Sequence, residues 1–232
     1  MYGIQPQVKS VLEELTLLVD TIKDPKLRGV VTEFLTDPPA DIDYPSLPLA
    51  KCPAGAYQHH SYPGGLLQHT FSVVKIAAAL CDIVEELYGG QVNRDLVLAG
   101  AILHDVMKVY CYEPNGGGGF QTSEHGGMID HLTLMVAEMH SRGLPADLIH
   151  VVAGHHGDVG PTKPKTLEAL IVSVADQADS DLNGKLLRAA EYLLRRSGES
   201  RPQLNSVLEA LRVVAAKSQE GWPGVQRLLD EG

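Results

Sequence analysis

Histidine and aspartate recur here where helices should be built from small and apolar side chains. The stretch LVLAGAILHDVMKVY, Leu96 to Tyr110, is the clearest case: an apolar run ends in His104-Asp105, and Lys108 follows. His69 sits near the N-terminal end of one apolar stretch, His131 near the start of another, His155-His156 end a third, and Asp176 and Asp179 lie three apart on a fourth. Buried imidazole and carboxylate are costly unless paired or bound to a cation. A metal ion removes that cost, and converging helices are a common way to hold one. Neutral imidazole nitrogen with carboxylate oxygen suits Mn, Fe, Ni, Co or Zn, leaves Mg possible, and suits Ca poorly. Asp105 has two oxygens and could bridge two ions. Lys108 could meet a phosphate oxygen as a point charge, or be a lysine placed by the helix dipole. Asp179 could orient a ligand histidine or be a solvated charge. His59 and His60 could line the mouth of such a site. His125, His140 and His150 read as ordinary core or surface histidines.

Most of the chain that must position these groups reads as helix. The segments are QVKSVLEELTLLVDTIKD, PKLRGVVTEFLT with Pro25 in its first turn, GGLLQHTFSVVKIAAALCDIVEELYGG, and NRDLVLAGAILHDVMKVY with Asn93 as N-cap. MIDHLTLMVAEMHSRG, LPADLIHVVAGHHGD and PKTLEALIVSVADQADSDL follow. Two amphipathic helices, NGKLLRAAEYLLRRS and RPQLNSVLEALRVVAAKSQ, and a short tail complete the chain. DPPADIDYPSLPLAKCPAG, with five prolines, is an extended connector, and EPNGGGGFQTSEHGG is a glycine-rich loop. Strand signals are weak, so the expected class is all-α.

The bulk numbers fit a soluble globular chain: 232 residues, 44% hydrophobic and 21% charged. The start, MYGIQPQVKS, lacks a basic segment followed by an apolar one, so no signal peptide is expected, and no apolar run reaches the ~18 residues of a membrane span. Three scattered cysteines (Cys52, Cys81, Cys111) suit a reducing cytoplasm. The net charge is −10, and residues 1–160 carry 9 basic against 19 acidic groups. That opposes tight, non-specific binding of long nucleic acid but not a small anion held by a metal.

The ordered pattern of His69, His104-Asp105, His131, His155-His156 and Asp176 resembles the HD superfamily of metal-dependent phosphohydrolases, over roughly Tyr57 to Leu182. HHSYPGGLLQHTFSVV, NRDLVLAGAILHDVMKV and AGHHGD are similar to the HD domain of bacterial 3′–5′ exoribonucleases that carry an OB-fold ahead of it. Nothing before residue 57 is β-rich here, no GYP triplet follows HHGD, and Met107 stands where the family often has glycine. The resemblance implies an HD-domain bundle of roughly eight to ten helices: a helical lead-in at 1–56, a metal-binding core at 57–182, and C-terminal helices at 183–232 packed on it. It implies one metal at His69, His104, Asp105 and Asp176, and candidates for a second at His131, His155 and His156.

Metal-activated water would then hydrolyse a phosphoester of a nucleotide or short oligonucleotide, with Lys108 offsetting charge and His131, His155 or His156 acting as ligand or as general acid. Asp105, Lys108 and His131 are thus the catalytic candidates. Three other activities stand beside this one: 3′–5′ exoribonuclease, di-iron oxygenase of HD type, and a non-catalytic metal- or nucleotide-binding module. Neither the substrate, the metal nor the oligomeric state is legible in the sequence.

Overall fold

The computed structural model describes residues 6–36, 38, 44–200 and 202–231. Among the described residues there are ten α-helices: α1 Pro6–Val19, α2 Pro25–Thr36, α3 Gly65–Asp82, α4 Arg94–Leu103, α5 Glu124–Met128, α6 His131–Ser141, α7 Ala146–Ala153, α8 Leu167–Arg196, α9 Val207–Glu220 and α10 Trp222–Glu231. The all-α expectation holds, with one addition. Tyr112–Pro114 and Phe120–Thr122 pair as a short antiparallel hairpin, β1 and β2, around the glycine-rich loop. Residues 1–5, where the absence of a signal peptide was read, and residues 37 and 39–43 of the proline-rich connector lie outside the described residues.

α3, α4, α7 and α8 pack on one another as the centre of the main core. The buried residues of α3 (Leu66, Val73, Val74, Ala77, Cys81) recur at helical spacing, and His69 falls inside that stripe. α3 with the π-helical turn that continues it, Gly65–Leu87, is long and apolar enough to cross a membrane by length and composition. Its packing against α4 and α8 is that of a core helix.

Two boundaries differ from the sequence reading. The HD helix ends early: α4 stops at Leu103, and Val106–Tyr110 is a 3₁₀ turn. The segments read separately as PKTLEALIVSVADQADSDL and NGKLLRAAEYLLRRS are one 30-residue helix, α8. Its buried stripe runs unbroken from Ala169 through Ala175, Asp179 and Asn183 to Leu187 and Leu194, so there is no reason for a break. The last part of α8 joins α9 and α10 in a second, smaller core with Tyr62, Ala210, Val213 and Val225. Asn93 caps α4 as expected, accepting from the Leu96 amide.

Candidate metal centre

Each candidate side chain is placed by an element end or a helical stripe. His104 caps the C-terminal end of α4, and Asp105 opens the 3₁₀ turn. In a 3₁₀ turn residues three apart eclipse, so Lys108 stacks over Asp105, Nζ 2.6 Å from Oδ2. His131 begins α6 beside its N-cap Asp130, whose carboxylate accepts from the Thr133 amide. His155-His156 follow α7, and Asp176 lies on α8.

The seven residues meet as two groups on either side of Asp105. On one side, His69 Nε2 is 3.1 Å from Asp176 Oδ1 and 3.3 Å from Asp105 Oδ2, and His104 Nε2 is 3.2 Å from His69 Nε2. On the other, His131 Nε2 and His155 Nε2 lie 3.1 and 3.7 Å from Asp105 Oδ1. Ligand-type atoms of His69, His104 and Asp176 all lie within 4.8 Å of one another, as do those of His131, His155 and His156. One carboxylate oxygen faces each group.

The donor atoms fit a divalent ion. Asp105 Oδ1, His131 Nε2 and His155 Nε2 are buried and make no well-aligned hydrogen bond among the described residues, although His131 and Asp105 approach to 3.1 Å. Such orphaned groups cost stability unless a cation takes them up. The opposite ring nitrogens of three of the histidines are anchored: His104 Nδ1 to the Ala101 carbonyl at 2.8 Å, His155 Nδ1 to the Val152 carbonyl at 2.7 Å, and His69 Nδ1 to Asp179 Oδ2 at 2.7 Å. Those bonds fix each ring with Nε2 aimed inward, as second partners of metal-ligating histidines do. Asp179 is thus buried and paired, and not a solvated charge.

Charge in the site is strongly biased. Burial alone would raise the Asp105 carboxyl; Lys108, His104 and His131 instead hold it well below the usual carboxylate range. Asp176 is held low against its own burial, chiefly by the hydrogen bond from His69. Desolvation, with the neighbouring His104, pushes His155 down and keeps it neutral, the form that ligates. His69 goes the other way: burial opposes protonation, but hydrogen bonds to Asp105, Asp176 and Asp179 raise it.

His59 and His60 form a third group with His69. Their Nδ1 atoms are 3.2 Å apart, and His60 Nε2 is 3.6 Å from Asp179 Oδ2. His125 is buried away from this centre and stacked on Tyr44. His140 is exposed, and His150 accepts from the Lys165 amide. Asp105, Lys108, His131, His156 and Asp176 reach the wall of a pocket of about 690 Å³. His59 lines it too, as the sequence suggested, whereas His60 does not; the sequence reading missed Tyr57, Gln58, Tyr112, Gln177 and Arg188. It also missed Ser180, which donates to Asp176 Oδ1, and Asn183, whose Oδ1 accepts from the His60 amide. One signal was present: Asp176, Asp179, Ser180 and Asn183 share one helical face.

Comparison with known proteins gives this geometry a family. The model of the HD domain matches residues 66–181. A dihydroneopterin 2′,3′-cyclic phosphate phosphodiesterase of Methanocaldococcus jannaschii is 43% identical over 216 residues, covering 90% of this chain and 85% of that protein. The 3′-5′ exoribonuclease YhaM of Oceanobacillus iheyensis is 31% identical across 82% of this chain, and that of Bacillus subtilis 28% across 75%. This chain spans only 59% and 54% of those two enzymes. No solved structure matches. A histidine-aspartate centre at the floor of a pocket, within a matched HD domain and beside a phosphodiesterase at this identity, makes the chain a member of the HD domain family and a metal-dependent phosphoester hydrolase.

Proposed function

We propose that this protein opens a small cyclic phosphodiester, of the 2′,3′-cyclic phosphate kind carried by a heterocyclic polyol or nucleoside, to a phosphomonoester. The observation that carries the reading is Asp105. Its two oxygens face two separate ligand groups at the floor of the pocket, the arrangement a two-ion phosphoesterase needs. The cyclic substrate is supported by the relative that is 43% identical over nearly the whole chain.

In this reading His69, His104, Asp105 and Asp176 hold one divalent transition-metal ion, and Asp105 with His131, His155 and His156 holds a second. The bound ions supply Lewis-acid activation of the phosphate and of the attacking water. Lys108, buried against Asp105 and facing the pocket, offsets charge on the non-bridging phosphate oxygens. Water adds at phosphorus, and one phosphorus–ring-oxygen bond breaks. The leaving oxygen takes a proton from pocket water; His131 or His156, the two of their group that line the pocket, serves as general acid only where it does not ligate the second ion. Cys52, Cys81 and Cys111 are free and buried, which suits a reducing cytoplasm.

The test is a panel of 2′,3′-cyclic phosphates, linear diesters, monoesters and short RNA, run with Mn, Fe, Ni and Mg and paired with metal analysis. The wild type is expected to turn over cyclic diesters first. Asp105→Ala should bind less metal and lose activity on the order of 10³-fold or more. Failure to hydrolyse any phosphoester with any of these ions would sink the proposal. A steep loss of RNA binding with salt would instead favour an exoribonuclease.

A further inference from the structure

The pocket is far larger than a phosphate needs. Its roughly 690 Å³ lies in the range of sites that enclose a drug-sized organic molecule. The metal centre and Lys108 account for one end. Another part of the wall is the loop Ala54–His59, and Arg188, Gln177 and Asp181 of α8 also line the pocket.

Two features mark that loop. The first is Tyr57, whose residue is 77% exposed. Among the described residues it is the only strongly exposed large apolar side chain that lines this pocket. The second is that the loop is held in place. The Ala54 amide donates to the His60 carbonyl at 3.2 Å, the His60 amide donates to Asn183 Oδ1 at 2.7 Å, and Arg188 Nη1 donates to the Gln58 carbonyl at 3.4 Å. His60 adopts a left-handed φ of 44°, the only positive φ outside glycine among the described residues. The loop also lies against α8 where that helix carries Gly184; a Cβ there would sit 2.7 Å from the Gln58 carbonyl oxygen. Backbone strain and a cleared helix face together fix a loop whose exposed side chain is an aromatic ring. A ring on a fixed backbone has two torsions to lose, so stacking there costs little conformational entropy.

We infer that the Ala54–His59 loop is the subsite for the organic part of the substrate, with Tyr57 stacking on its planar heterocycle. Tyr57 is therefore a specificity-determining residue. Gln58, and Gln177 beyond the bond its Nε2 donates to Asp181 Oδ1, offer donors and acceptors to a ring edge, so the class is a phosphoester bearing a planar heterocycle with a polar edge, such as a nucleobase or a pterin. This rests on the phosphodiesterase reading for the phosphate end and shares with it a substrate that carries a heterocycle.

The experiment measures binding of guanosine 2′-monophosphate and of inorganic phosphate to Mn-loaded wild type, Tyr57→Ala and Tyr57→Phe. Tyr57→Ala should weaken the nucleotide about tenfold or more and leave inorganic phosphate within about twofold; Tyr57→Phe should keep most of the nucleotide affinity because the ring is retained. In kinetics, Tyr57→Ala should raise KM for guanosine 2′,3′-cyclic phosphate and not for glycerol 1,2-cyclic phosphate, which has no ring. Equal binding of both probes by Tyr57→Ala and wild type, parallel loss of both, or a wild type that holds the nucleotide no tighter than phosphate overturns the inference. A wild type that binds the nucleotide through Tyr57 but hydrolyses nothing overturns the proposed function alone.

Discussion

At the scale of the residue, the centre turns on two carboxylates with different tasks. Asp105 divides its oxygens between two groups of imidazoles. Asp179 is not on the pocket wall; it accepts from His69 Nδ1 at 2.7 Å and lies 3.6 Å from His60 Nε2 of the third histidine group. Its task is to hold the His69 ring with Nε2 facing inward and to raise its basicity. Outer partners of this kind typically set metal affinity by 10–100-fold. Asp179→Asn should therefore fold normally and lose about that factor in affinity for Mn or Ni at the His69 group, read by calorimetry. An unchanged affinity would mean that helix packing alone orients His69.

Elements explain why the ligands are where they are. Helix α4 must approach α7 closely to bring His104 towards His155, whose rings are 5.0 Å apart between centroids. Gly100, one turn before His104, permits that approach: a Cβ there would fall 2.3 Å from Val151 Cγ1. Overpacking at such a contact costs about 1–3 kcal/mol, and each kcal/mol is worth roughly 2–4 °C in Tm for a chain of this size. Gly100→Ala should lower Tm by several degrees and reduce metal bound per chain. A Tm equal to wild type would show that α7 shifts freely. The 3₁₀ turn after α4 matters for the same geometric reason. It ends the helix just before Asp105 and stacks Lys108 above it.

At the scale of the whole molecule, the packed imidazoles make folding depend on pH. Burial, reinforced by neighbouring histidines, lowers His59 to about 3 and also lowers His60, His155 and His156. Unfolded histidine titrates near 6.5. Below that pH the unfolded chain takes up protons that these four folded side chains refuse, so stability falls with pH. His69, shifted upward by its three carboxylates, contributes in the opposite sense, as one group against four. The metal-free protein should therefore melt at a lower temperature at pH 5 than at pH 7.5, measured by thermal scans after chelation. Loaded protein should melt higher than chelated protein at pH 7.5, because an ion that binds only the folded state stabilises it by mass action. A metal-free Tm that rises on acidification would refute this balance.

The sequence by itself determined residue types and spacing. Imidazole and carboxylate inside apolar stripes raised the expectation of metal ligands, because burial of such groups demands a partner, and helical periodicity announced the all-α bundle. His69, His104, Asp105, His131, His155, His156 and Asp176 were singled out on that basis and joined into a ligand set by the resemblance, and the fold brings them within reach of one another. Local pattern could not show that α4 yields to a 3₁₀ turn at the HD pair, since the apolar run continues through it. Nor could it show that α8 is one helix, or that residues beside the glycines pair as a hairpin. Tertiary structure alone decided the division of labour: Asp105 between the two groups, Asp179 behind His69, and a pocket walled by Tyr57 and Arg188 from segments 131 residues apart. Ligand chemistry is written in residue type, whereas the walls of a pocket are assembled from ordinary surface residues whose meaning comes only from being neighbours.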